Sequence, residues 1–169
     1  QAGINNALDA AKIYADLAKD ESDSNAKASL LIKQSEALYF AGYASTNKDR
    51  KLERHLLGSE IADKGLVILG LKDPANIDAA AVEKLKKLPQ DQLAIVAEGL
   101  YFRGINLGQW GNARGVVDSL GRWPELRTTM ETIVKIGFKQ IHEFGAYRVL
   151  GRAYFKIPGL LGGSNEKAE

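Results

Sequence analysis

The sequence predicts an all-α fold of antiparallel helix pairs, and three observations carry that prediction. Apolar residues recur at three- and four-residue steps along most of the chain. Gly, Pro and short polar runs punctuate those stretches, and no segment alternates apolar and polar residues as a half-buried strand would. Residues 35–42, SEALYFAG, and 97–104, AEGLYFRG, share Glu, Leu, Tyr, Phe and Gly in register at an offset of 62, which is internal repetition.

Taken in order, Ile4, Leu8, Ala11, Ala15 and Ala18 form one apolar stripe, widened by Ile13 and Leu17, and predict a helix over 4–18. The polar run 19–25 ends it. A second helix over 26–44 buries Leu30, Leu31, Leu38 and Ala41, and Ser45, Thr46 and Asn47 form the loop after it. A third over 48–69 carries Leu52, Leu56, Ala62, Leu66 and Leu69, closed by Gly70 and Pro74. Asp78 caps a short helix reaching residue 88, and Pro89 precedes a longer one over 91–107 that Gly108 ends. Helices then follow over 110–120, 125–136 with Pro124 in its first turn, and 144–157, with Gly137 as a break.

With 169 residues and a hydrophobic fraction of 45%, residues 1–169 are expected to form a single helical-repeat domain around a real core. The formal charge of +2, from 23 basic and 21 acidic residues, gives no footprint for nucleic acid. No cysteine is present, which excludes disulfides, thiolate metal sites and cysteine nucleophiles. No apolar run approaches the roughly 20 residues of a membrane span. Gln1 in place of Met suggests a processed or trimmed start, compatible with a removed signal or anchor. Ser164, an N-cap followed by barely one turn before Glu169, suggests a cut at the other end.

In the stretch 145–168, Tyr147, Leu150, Gly151 and Tyr154 reproduce the aromatic-x-x-Leu-Gly-x-x-Tyr spacing of the first helix of a tetratricopeptide repeat. Gly108, Trp110 and Ala113 resemble the turn into that repeat's second helix. On these residues the chain resembles tetratricopeptide-like α-α superhelical proteins. Three departures accompany the likeness: the offset of 62 exceeds the usual repeat of about 34 residues, Tyr39 and Tyr101 stand where the small glycine belongs, and an additional short helix is expected between Asp78 and Leu88. The tail, with Pro158-Gly159, Gly162-Gly163-Ser164 and Lys167-Ala168, resembles two offshoots of the fold. One is the periplasmic T-component of tripartite ATP-independent periplasmic (TRAP) transporters; the other, less closely, is the regulator-of-microtubule-dynamics family. The first resemblance implies a periplasmic or lipoprotein-anchored protein, transport-associated, whose helices surround an apolar pore for a hydrophobic ligand. The second implies a protein–protein adaptor, and a cytoplasmic location is the alternative.

The supply of catalytic groups is thin. His55 lies in the charged run 51–55 and is expected on a solvated helix face. His142 and Glu143 are adjacent and do not share a face, so neither metal nor acid–base pairing is expected from them alone. The glycines at 159–163 lack a following Gly-Lys-Ser/Thr and read as an inter-helix turn, and neither Ser119 nor Ser164 sits in a Gly-x-Ser-x-Gly elbow. No catalytic residue, cofactor or metal is therefore expected.

The expected site is a concave groove lined by one row from each copy: Glu36, Phe40 and Tyr43; Glu98, Phe102 and Asn106; Arg148, Arg152 and Phe155. That row suits a hydrophobic or amphiphilic ligand or a protein partner. The competing account makes the three Phe residues ordinary core. Arg148 and Arg152, four apart on one face, either grip a carboxylate or bridge to Glu36 or Glu98. Trp110 is read as a packing residue at a helix turn, and Trp123 as a staple before Pro124 or an exposed contact.

Overall fold

The computed structural model describes residues 2–168, and among them there is helix and turn but no strand. The order is α1 (Ala2–Asp20), α2 (Ser24–Tyr43), α3 (Lys48–Ile68), α4 (Ala79–Leu85), α5 (Gln90–Arg114), α6 (Val116–Ser119), α7 (Trp123–Lys135), α8 (Ile141–Lys156) and α9 (Asn165–Ala168). Single 3-10 turns, Leu120–Arg122 and Gly159–Leu161, precede α7 and α9.

Local chemistry sets the boundaries. Asp23, Asn47 and Asp78 accept hydrogen bonds from the backbone N–H groups of Ala26 (2.8 Å), Arg50 (2.9 Å) and Ala81 (2.7 Å), satisfying donors that a helix start leaves orphaned. Helices α3 and α7 end at the left-handed Gly70 and Gly137, where Leu71 and Phe138 each donate back to a helical carbonyl at 3.0 Å. Ser164 does cap the last turn, its Oγ accepting from the Lys167 N–H at 3.2 Å.

The short loops fold α1, α2 and α3 back on one another, and a small cluster of Ala11, Ala37, Leu38 and Ile61 joins them. The main core is organised around α5, which packs against α2, α3, α7 and α8. Between Leu93 and Leu107 most of its positions are buried, against Leu66 of α3, Met130 and Ile133 of α7, and Ala146 and Leu150 of α8. A helix enclosed in this way needs small residues where neighbours cross. The repeated Gly42 and Gly104 serve that purpose: a Cβ at 42 would lie 2.7 Å from the His55 ring, and one at 104 would overlap the Met130 methyl. In the third copy Leu150 and Tyr154 are buried, and a Cβ on Gly151 would come within 2.9 Å of the Ala168 carbonyl, so α9 crosses there. Tyr147 remains 46% exposed and does not join that packing.

Three expectations are corrected. Helix α5 passes through Gly108 and ends at Arg114, because one internal glycine costs only about 1 kcal/mol and the preceding turn, Ile105 to Leu107, is anchored in the core; the break falls at Gly115, φ 113°. The expected helix over 110–120 is thereby reduced to α6, and α4 stops at Leu85 instead of residue 88. At the start of α8, His142, Glu143 and Phe144 adopt left-handed φ of 45°, 55° and 61°, so regular helix begins only at Gly145. Such residues cost roughly 1–2 kcal/mol each. The Arg148 guanidinium steadies the turn, donating to the carbonyls of His142 (2.9 Å) and Glu143.

A candidate ligand cleft between α5, α7 and α8

The last two turns of α5, the 3-10 turn before α7 and one face of α8 enclose a cleft of about 400 Å³, within the roughly 300–1,000 Å³ typical of small-molecule sites. Its apolar wall comes from Ile105, Trp110, Trp123 and Leu126 on one side and Val149, Ala153 and Ile157 on the other. Tyr39 and Tyr101, equivalent positions of the two repeat copies, also line it. Burial pushes both phenols above their usual pKa; a Gln109 hydrogen bond opposes this at Tyr39 and the Arg148 charge at Tyr101.

Among the described residues four cations line the same cleft, Arg122, Arg148, Arg152 and Lys156, and no Asp or Glu does. Three of them have partners. Arg122 stands over the Trp110 ring, 5.4 Å from its centroid, and lies 3.7 Å from Glu125. Arg148 holds the left-handed turn, and Lys156 Nζ donates to Asn112 Oδ1 at 2.8 Å. Arg152 forms no hydrogen bond or ion pair with any described residue. Trp123 is 6% exposed, meets Tyr154 edge-on at 5.1 Å, and its indole N–H has no hydrogen-bond partner among the described residues.

The nine residues expected in one groove are divided among several places. Arg148 and Arg152 are in the cleft, and neither reaches Glu36 or Glu98. Glu36, Glu98 and Phe102 border a second groove of about 430 Å³ between α2 and α5, closed by Phe138, Ile141 and His142. There His142 Nε2–H donates to Glu98 Oε2 at 2.8 Å while its ring stacks on Tyr101 at 4.2 Å and meets Phe102 edge-on. Phe102 is itself 5% exposed, as the core account has it. Phe40, Tyr43 and Phe155 lie on the surface at 53%, 62% and 72% exposure.

Asn106 is fully buried instead of facing a groove. Its Nδ2 donates to Phe102 O (3.0 Å), Ser35 Oγ (3.2 Å) and Ser35 O (3.3 Å), which leaves Oδ1 to accept from His55 Nδ1–H at 3.0 Å. His55 is likewise fully buried, a correction of its expected solvated position. The charged run around it misled: in a helix packed on both α2 and α5, one member of such a run must turn inward.

Sequence reasoning also missed Arg122, Lys156 and the Trp walls as one site. The signal for part of it was present, since Arg148, Arg152 and Lys156 recur at steps of four beside the apolar row Val149, Ala153 and Ile157. Arg122 reaches the cleft through the turn after α6, which no periodicity announces.

Among the described residues no group of His, Asp or Glu is arranged to hold a metal ion, and no helix is long and apolar enough to cross a membrane. No protein-family model matches the chain, and no curated protein matches it either.

Proposed function

We propose that this chain is a non-catalytic, tetratricopeptide-like binding module that holds a hydrophobic or amphiphilic small molecule between α5, α7 and α8. The observation that carries the reading is the cleft itself: apolar walls from two tryptophans and three aliphatic positions of α8, open on a cationic edge. Water in such a space gains little from its lining, and an apolar ligand displaces it favourably. The resemblance of the tail to the T-component of TRAP transporters supports the same reading, and with it a periplasmic or lipid-anchored, transport-associated setting as part of the proposal.

Native mass spectrometry of protein purified without denaturation tests this. The expected spectrum shows a small-molecule adduct that collisional activation releases, and the adduct disappears in Ala153→Trp, whose side chain fills the cleft. Bare polypeptide mass for the wild-type protein contradicts the reading. A second reading, a protein–protein adaptor, is favoured by Phe40 and Tyr43, exposed one turn apart on α2. Its mark is a partner whose capture depends on those two residues and is indifferent to Ala153→Trp.

A further inference from the structure

Resting on the ligand-cleft reading, we propose that the occupant is a long-chain carboxylate, its head group on Arg152 between Arg148 and Lys156 and its chain along Val149, Ala153 and Ile157. Arg148, Arg152 and Lys156 follow one another at i, i+4 and i+8 on α8, and all three line the cleft. Like charges at that spacing repel and weaken a helix. The usual remedy, an acid within reach, is missing from the lining among the described residues. Arg148 spends two hydrogen bonds on backbone carbonyls and Lys156 one on Asn112, while Arg152 spends none on any described residue. Among the described residues, one guanidinium, flanked by two further cations, is thus left without a partner beside an apolar space.

The apolar row at 149, 153 and 157 runs parallel to this cationic row, one residue on. A ligand satisfying both rows is elongated, apolar along its length and anionic at one end. A carboxylate matches the planar fork of Arg152 in two parallel hydrogen bonds. A cationic amphiphile meets four positive charges, and a neutral one leaves Arg152 as it is.

The test is titration of the whole chain, below micelle-forming concentrations, with dodecanoate, dodecanol and dodecyltrimethylammonium. The two tryptophans, both in the cleft wall, provide the fluorescence signal. Dodecanoate is expected to bind about tenfold or more tighter than dodecanol, the equivalent of one charge-assisted hydrogen-bonded pair. Added salt should narrow that ratio, and Arg152→Gln should remove most of it while leaving dodecanol affinity and the helical circular dichroism unchanged. Equal affinity for dodecanoate and dodecanol, or a preference for the trimethylammonium compound, overturns the carboxylate assignment and leaves the ligand-cleft reading standing. A carboxylate preference untouched by Arg152→Gln overturns the assignment of the head group to Arg152. Failure of all three to bind overturns both readings.

Discussion

Arg103→Met destabilises the domain by about 3 kcal/mol, the lower end of what removal of one member of a buried ion pair costs. The Arg103 side chain is 1% exposed, and its guanidinium is held by three side chains. Its Nε donates to Asp63 at 2.5 Å, one terminal nitrogen to Thr129 at 2.6 Å, and the other to Glu125. The three partners tie α3 and α7 to α5. Methionine fills similar volume and leaves two carboxylates facing each other with no cation between them. Burial already pushes the Asp63 carboxyl above its usual range, with the Arg103 charge opposing it. A carboxyl with a raised folded-state pKa favours the fold below its ordinary pKa of 3.8, and that advantage is lost as pH rises through the raised value. The Arg103→Met deficit is accordingly largest at neutral pH and shrinks as pH falls into the acid range, where protonation of Asp63 removes its charge. Urea unfolding of both proteins at several pH values reads this out; an unchanged midpoint at neutral pH would show that the pairing contributes nothing.

Asn106→Ala is expected to cost about 3 kcal/mol, from a donor left unpaired in the core plus a cavity. The amide joins α5 to Ser35 of α2 and His55 of α3, so its loss loosens a three-helix junction. It also fixes the His55 tautomer: with Nδ1–H donating to Asn106, Nε2 carries no proton and has no partner. Burial lowers the His55 pKa from its ordinary 6.5, Asn106 opposes that, and the Lys51 charge adds to the lowering. A depressed folded-state pKa means that the unfolded chain binds the proton first. This stability is present above pH 6.5 and is lost as pH falls towards the folded value. The wild-type urea midpoint should therefore drop between about pH 7 and pH 5, and His55→Leu should flatten that dependence even where it lowers the midpoint throughout. An equal slope in both proteins would exclude His55 as its source.

These two clusters show what the sequence disclosed and what it withheld. The helix periodicity, the polar caps and the Gly and Pro boundaries depend on residues close in sequence, and most helices are placed correctly from them. The repeat at an offset of 62 even pairs Ala41 with Arg103. Both positions are buried, although one of them, Arg103, carries a charge. Its partners Asp63 and Glu125 lie 40 and 22 residues away, on helices whose rotation only packing decides. Asn106 was misplaced for the related reason that superposing copies on Leu38 and Leu100 gives the face of a helix but not what covers it. On α5 the row is divided, Glu98 and Phe102 facing the groove beside α2 and Asn106 turned into the core, whereas on α8 Arg148 and Arg152 both line the cleft.

The most direct measurement of the central claim is photo-crosslinking with dodecyl probes carrying a mid-chain diazirine, in both carboxylate and alcohol forms, followed by peptide mapping. Labels are expected on the residues that line the cleft, within 101–126 and 145–157 and at Tyr39, with their loss in Ala153→Trp. Labels centred on Phe40 and Tyr43, or spread evenly over the surface and insensitive to that substitution, would contradict it.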